Sequence, residues 1–385
     1  MASIVKRTAS DGSVRYDVRY RDPAGKQRKR TFRTRKAANN YLTTANADLL
    51  EGRWIDPKKG RQTLGEWWDE WWPSVVDLRP STRARDESYW RNHVKPTFGD
   101  LPLSAIDHQA IAQWVADLRT SGLAPATVHK CHQVLSKPLR AAVRAGRLFA
   151  NPADDVPLPK VEREEMRFLT PAEVATLADK IDKRYRAFVI LGAYAGLRLG
   201  EMLALRWDRV DLLHRRLDVV ETAVEVRGHV TIGPPKTRAG RRSVPLPRVA
   251  ADALTAHQKA RGGDGLVFPA PDGGPGRAGL FRRRFWYPAT VAAGLGELTP
   301  DEHTGREHYT GLRIHDLRHT AVSLWIAAGA SPKEIATRAG HTSVSVVLDR
   351  YGHLLPGSED AVNDALDALA DAVTTGAVVP LRPAR

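Results

Sequence analysis

Between Arg313 and Tyr351 the chain reads R-I-H-D-L-R-H-T, then an apolar helical stretch, then A-G-H-T-S, with D-R-Y placing a tyrosine ten residues after His341. This segment supplies His315, Arg318, His341 and Tyr351, with no cysteine nearby and few carboxylates. Guanidinium forks and imidazoles suit holding a phosphodiester, and a phenol can attack it. Two residues upstream fit the same chemistry. Arg198 follows an apolar helix in A-G-L-R-L-G-E, where its fork can meet an oxyanion or pair with Glu201 three residues on. Lys236 is the sole lysine between Lys183 and Lys259 and lies beside a hairpin with Gly240 at its turn. From there it can donate a proton, or it is a solvated turn charge.

Several elements must position these groups. Thr170-Pro171-Ala172-Glu173 is a capping box with proline at the first helical position, which opens a new domain. A strongly apolar helix follows from about Tyr185 to Ala195, then strands at Arg216–Val226 and Val230–Ile232 around a turn at Arg227-Gly228-His229. A Gly/Pro-rich connection spans 262–276, and Arg282, Arg283 and Arg284 begin an arginine-rich helix suited to tracking a nucleic-acid backbone. His303, His308 and His319 match no zinc spacing and have no cysteine partners, so no metal is expected. His319 and His353 read as packing or hydrogen-bonding residues, and Glu201 and Asp316 as structural, with Asp316 available to orient Arg318 or backbone. After Tyr351 the charge reverses: residues 352–381 hold five acids and no Lys or Arg. Val362, Leu366, Leu369 and Val373 form an apolar helical stripe there, which could fold back onto its own domain.

The front of the chain is basic. Residues 1–36 contain twelve Lys/Arg against three acids. From Val14 to Arg21 apolar Val14, Tyr16, Val18 and Tyr20 alternate with Arg15, Asp17, Arg19 and Arg21, the period of a half-buried strand. Ile4–Thr8 and Arg28–Phe32 flank it, and Thr34 can cap a helix through Leu50 with Tyr41, Leu42, Ala45 and Leu49 inward. A three-stranded sheet and helix with a basic outer face can lie on duplex DNA, through Arg15, Arg19, Arg28 and Arg30.

From Gln62 to Asp155 the periodicity is helical. Thr63 is an N-cap, and Trp67, Trp68, Trp71 and Trp72 make a core stripe. Pro80-Ser81-Thr82 opens a second helix bearing Arg83 and Arg85, Ile106-Asp107 a third, and Ala126–Arg144 a fourth with Lys130, Lys137 and Arg140, kinked at Pro138. The cluster presents a basic face to phosphates, and its histidines read as surface polar residues. Asn151–Arg167, with three prolines, reads as a linker.

At 385 residues, 42% hydrophobic, the chain holds two or three packed domains, and a net charge of +15 with pI near 10.0 calls for a polyanionic partner. A single cysteine leaves no disulfide framework, no apolar run reaches the roughly 18 residues of a membrane span, and the start has no signal-peptide core. The expectation is a cytoplasmic nucleic-acid-binding protein with no membrane contact.

G-L-R-L-G-E at 196–201, K-T-R-A-G-R-R at 236–242, H-D-L-R-H-T at 315–320, G-H at 340–341 and Y-G-H at 351–353 occur in one order over some 155 residues. In this the chain resembles the tyrosine recombinases of the phage-integrase family, and its upstream layout resembles the arm-binding and core-binding domains of larger integrases. The resemblance implies that Arg198 and Arg318 clamp a scissile phosphate with His315 and His341 as further partners. It implies Lys236 as general acid and Tyr351 as the nucleophile of a 3′-phosphotyrosine. A phenol with pKa about 10 is ionised at about one part in a thousand at neutral pH, so it needs a base or a positive field, and His315 is the candidate base. Two arginines and two imidazoles can offset phosphorane charge without a metal or other cofactor.

The expected fold is a multidomain α+β chain. Residues 1–56 form a small sheet-and-helix arm-binding domain, 62–155 a helical core-binding bundle, and 165–375 a mainly α catalytic domain with a small β-sheet and hairpin. The implied function is site-specific recombination of double-stranded DNA at attachment-type sites by a homotetramer, through a Holliday junction. A directionality factor or host bending protein would be a further partner. The extra basic front domain points to the integrase of a phage or mobile element. A type IB topoisomerase, or a catalytically silent architectural DNA-binding protein, are the alternatives.

Overall fold

The computed structural model describes residues 2–23, 25–50, 59–162, 166–300 and 307–355, with short pieces at 363–364, 366–367 and 370–371. It divides into two compact units, Met1–Arg163 and Glu164–Arg385.

The first unit opens with an antiparallel sheet of β1 (Ser3–Thr8), β2 (Val14–Arg21) and β3 (Gln27–Phe32), followed by α1 (Arg35–Leu50). Thr34 Oγ1 accepts from Ala37 N–H at the start of α1. Val18, Tyr20 and Ala38 are buried between sheet and helix, with Ile4, Phe32, Tyr41, Leu42 and Leu49 packed against them. The register pairs Val18 with Arg30 and Tyr20 with Arg28. Directly opposed residues share a face, so both arginines lie on the helix side of the sheet and not on its outer face. Arg30 sits 4.7 Å over the Tyr41 ring, and Arg28 Nε bonds Asp22 Oδ2 at 2.8 Å. The outer face carries Arg7, Arg15, Arg19, Arg21 and Lys29 around Asp17. That carboxylate is only 1% exposed and is held by Thr31, Arg7 and Lys29.

A second hydrophobic cluster is built by α2 (Leu64–Trp71), α3 (Pro80–Tyr89), α4 (Lys95–Phe98), α5 (His108–Thr120) and α6 (Pro125–Arg144). Thr63 and Glu66 form a capping box on α2. Trp68 stacks on Trp72 and Trp90 with ring centroids at 4.5 and 4.2 Å, so the tryptophan stripe is core. α6 runs as one helix through Pro138, whose carbonyl accepts from Trp67 Nε1. The stretch expected as a linker packs against this cluster at its start: Ala153 and Val156 are buried, and His129 and His132 bond the carbonyls of Pro159 and Ala153.

The second unit starts with the Thr170 capping box and α7 (Pro171–Lys180), then the buried α8 (Arg186–Ala195) and α9 (Leu199–Leu203). The expected strand over 216–226 is two strands. β4 (Val210–Asp211) and β5 (Arg216–Val219) join the later β8 (Arg242–Pro245) in one sheet, while β6 (Thr222–Val226) and β7 (His229–Gly233) form a separate hairpin. Next come α10 (Arg248–Arg261), α11 (Ala278–Phe281) and α12 (Tyr287–Ala292), the last two joined by a wide helical turn over Arg282–Trp286. The arginine-rich helix thus begins four residues before Arg282. A hairpin that the sequence did not suggest, β9 (Gly296–Pro300) with β10 (Glu307–Gly311), precedes α13 (Ile314–Ala327), α14 (Pro332–Ala339) and α15 (Ser345–Tyr351). α13 packs along α8, pinned by Trp325 Nε1 to Tyr194 O at 3.0 Å and by Leu169 N–H to Thr320 Oγ1 at 3.0 Å. Of the C-terminal stripe, Val362, Leu369 and Val373 lie outside the described residues. Among the described residues no helix is long and apolar enough to cross a membrane.

Candidate active site

Two glycines make the site's geometry. Gly196 ends α8 at φ 66°, and Gly340 ends α14 at φ 65°, both in the left-handed conformation that glycine adopts without a Cβ penalty. Each turns the chain sharply, so that Arg198 and His341 emerge just beyond a helix end. Each helix end also leaves carbonyls pointing outward, the negative pole of the helix.

Arg318 occupies the space between those two poles. It is 2% exposed, and its guanidinium donates to Gly196 O at 2.6 Å and to Ala339 O. Burial, then repulsion from Arg198, pulls it down to about 9, which leaves it a cation at neutral pH. Arg198 lies beside it with its side chain 39% exposed. It donates to Glu201 Oε1 at 2.7 Å and to Gly340 O at 3.1 Å. Both arginines therefore meet the end of α14, one on each of two consecutive carbonyls.

Glu201 is the carboxylate beneath them. Besides Arg198 it takes Arg242 Nη1 at 3.1 Å and Nη2 at 3.0 Å. Burial raises its pKa, but the Arg242 hydrogen bonds and charge, with Arg198, outweigh this and hold it below the usual range. Arg242 Nε donates to Arg338 O at 2.6 Å, so this residue ties β8 to α9 and α14 at once. Arg242 is not among the residues expected for the site. The available signal was an arginine two residues before Val244, on the same inward side of β8.

His341 is half-buried, and its Nδ1 is buried with no hydrogen-bond partner among the described residues. Burial, then Arg318 and Arg198, pushes its pKa to about 4. His315 is more exposed, yet partial burial of the ring, His319 and Arg318 also push it to about 4. It borders a cavity of about 880 Å³ lined in part by Arg167, Arg282, Arg313 and Tyr309. Both imidazoles are neutral at pH 7 in this state.

Tyr351 is 2% exposed at the end of α15. Its hydroxyl bonds His319 Nδ1 at 2.6 Å, so His319 and not the expected His315 meets the phenol. His315 lies one turn earlier, its ring perpendicular to His319 at 4.9 Å. Burial raises the Tyr351 pKa, against the lowering fields of Arg318 and Arg350. Asp316 caps α13 by accepting from Arg313 N–H at 2.7 Å and does not hydrogen-bond Arg318. Lys236 is exposed in the loop after β7.

The expected phosphate contacts fall into two groups. Arg282 and Arg283 are exposed, and so is Arg19. The others have protein partners: Arg15 with Asp11 at 3.5 Å, Arg85 and Lys137 both with buried Asp86, Arg140 with Asp154, and Lys130 with Gln133. Arg83 is taken up structurally, donating to the carbonyls of Val75 and Trp72 and lying over the Trp72 ring.

This arrangement of cationic forks, imidazoles and a tyrosine around one helix end can hold a phosphodiester and attack it. Residues 167–357 match the phage integrase family, and residues 63–119 match the phage integrase N-terminal SAM-like domain. The chain belongs to the phage integrase family, the tyrosine recombinases. It is 28% identical to the ICEBs1 integrase of Bacillus subtilis (strain 168) over 76% of this chain and 79% of the relative. It is 27% identical to a putative prophage phiRv2 integrase of Mycobacterium tuberculosis over 93% and 94%. Among solved structures, the Tn1549 transposon integrase in complex with transposon right end DNA shares the fold at TM-score 0.64 and 20% identity, over 80% of this chain and all of that one. A lambda integrase tetramer bound to a Holliday junction does so at 0.55 and 21%, over 89% and 93%.

Proposed function

We propose that the protein is the site-specific DNA recombinase of a phage or other mobile element. It cleaves and rejoins double-stranded DNA through a 3′-phosphotyrosine at Tyr351, and it works as a tetramer that passes through a Holliday junction. One observation supports this above the rest: Arg198 and Arg318 converge on the end of α14, beside His341. The two cations, with His341 and His315, would take the non-bridging oxygens of the scissile phosphate and offset charge as the phosphorane forms. Tyr351 attacks phosphorus and the 5′-oxygen leaves. Lys236, brought in by its loop, supplies the proton to that oxygen. Because the phosphate stays esterified to the protein, the 5′-hydroxyl of another strand can displace it without an external energy source.

In this reading residues 1–56 bind arm-type sites, 62–155 grip the core site and 165–375 carry the chemistry. The exposed Arg19, Arg282 and Arg283 are the phosphate contacts best disposed for it. A directionality factor or host bending protein would set the direction of exchange. A chain with one cysteine, which can form no internal disulfide, suits action in the cytoplasm.

Incubation with two duplexes bearing the element's attachment sites tests the reading. Recombinant products and a trapped four-way junction are expected. Relaxation of supercoils on a single duplex without exchange would replace it with a topoisomerase. Tight binding with no strand cleavage would leave an architectural protein.

A further inference from the structure

The roles just given leave one buried pair unused. Tyr351 Oη and His319 Nδ1 lie 2.6 Å apart, and the two residues are 2% and 6% exposed. We propose that His319 is the proton acceptor of Tyr351, taking the phenolic proton during cleavage and returning it during rejoining. The proposal rests on the reading of Tyr351 as nucleophile.

The geometry carries it. The pair already stands at general-base distance. Tyr351 is packed among Trp325, Ile335 and Val347, with the Phe168 ring 6.4 Å away, so the phenol's neighbours are mostly apolar. His319 faces several charges: Arg313 at the N-cap of α13, Asp316, Arg318 and the His315 ring on α13, and Arg350 on α15. Burial, reinforced by Arg350, Arg313 and Arg318 against the opposing Asp316, lowers the His319 pKa. The ring is then neutral at pH 7, with one nitrogen able to accept. A tyrosine hydroxyl is the donor of such a pair, so Nδ1 accepts and Nε2 carries the ring proton.

The step balances. The Tyr351 O–H bond breaks and its proton passes to His319 Nδ1 as the O–P bond forms. The P–O5′ bond breaks, and the departing oxygen takes a proton from Lys236. In rejoining, the 5′-hydroxyl gives its proton to the now neutral Lys236 as its oxygen attacks phosphorus, the Tyr351 Oη–P bond breaks, and Oη takes back the proton held by the His319 imidazolium. His315 is free in this scheme to serve the phosphate.

The test is single-turnover cleavage of a nicked attachment-site substrate by full-length protein, comparing wild type with His319→Gln and His319→Ala. Glutamine keeps a hydrogen-bond acceptor for Tyr351 but is no base. Both variants are expected to bind DNA as wild type does and to cleave roughly 10²- to 10⁴-fold more slowly. Their rates should climb between about pH 7 and 9 as hydroxide substitutes for the missing base. A 5′-bridging sulfur, whose thiolate leaves without an acid, should restore Lys236→Ala but neither His319 variant. Wild-type cleavage by His319→Gln, or equal restoration by sulfur, would overturn the proposal. Nitrogen-15 NMR of the DNA-free protein gives a readout apart from activity. It should show His319 as the Nε2–H tautomer, with an Nδ1 signal that moves in Tyr351→Phe; an Nδ1–H tautomer overturns the proposal. If wild type forms no adduct while the NMR signature holds, the nucleophile reading has failed and the proposal falls with it.

Discussion

Glu201 and Arg242 are buried against each other, with side-chain exposures of 2% and 5% and Nη2 3.0 Å from Oε2. The same carboxylate also holds Arg198 at 2.7 Å. Position at the surface-facing clamp is therefore set by an ion pair beneath it. Removing one member of such a pair leaves an uncompensated buried charge, at about 3–5 kcal/mol. Arg242→Ala is expected to lose stability on that scale in denaturant unfolding and to cleave DNA more than tenfold more slowly. Arg242→Lys should recover little, because a point charge cannot reproduce the two-pronged contact. A loss below about 0.5 kcal/mol, the range of ordinary surface changes, would contradict the hub role.

Gly340 offers a sharper geometric probe. A Cβ there would stand 2.8 Å from Ala239 O and 3.0 Å from Arg242 Nη1, at a backbone φ of 65°. Gly340→Ala should therefore cost about 1 kcal/mol or more in thermal unfolding and shift the carbonyl that Arg198 uses. Cleavage is expected to fall while DNA binding holds. Unchanged cleavage would detach the end of α14 from the clamp.

Acid should weaken the fold in a definite window. His315 and His341 sit at about 4 in the folded protein, against 6.5 ordinarily. Above pH 6.5 the ring is neutral in both states and the shift contributes nothing. Between about 6.5 and 4 the unfolded chain binds protons that the folded chain refuses, so stability drops as pH falls. The exposed His315 contributes the smaller part. Tm measured from pH 7 to 5 should fall less steeply in His341→Gln than in wild type. Parallel curves would contradict the buried neutral imidazole.

The basic sheet makes a contrast between its two faces. Arg19→Ala, on the outer face, should lower the slope of log K against log salt by about 0.9 if it meets one phosphate. Arg30→Ala, on the helix side over Tyr41, should leave that slope alone and lower stability instead. Fluorescence-anisotropy titrations across a salt series measure both. A slope change for Arg30→Ala would reverse the assignment of faces.

Much of the framework is legible in the sequence because it depends on local rules. The alternation over Val14–Arg21, the capping boxes at Thr63 and Thr170, and the apolar run into A-G-L-R each report a short-range preference. What is not legible depends on register or on distant neighbours. Arg28 and Arg30 change face according to which residue of β2 each opposes, a matter of one position in pairing. The β9–β10 hairpin has few apolar positions, and its support comes from Tyr309 stacking on Tyr287 at 3.9 Å. His319 and His315 are equivalent in type and one turn apart. Only the approach of α15, which carries Tyr351 32 residues on, gives the tyrosine to His319.

Whether Tyr351 becomes covalently joined to DNA is read out by a nicked suicide substrate. The substrate loses the fragment carrying the 5′-hydroxyl, so an adduct accumulates that can be digested and mapped by mass spectrometry. A 3′-phosphodiester is expected on the peptide containing Tyr351, absent in Tyr351→Phe. An adduct on any other residue, or one that survives in Tyr351→Phe, would contradict it.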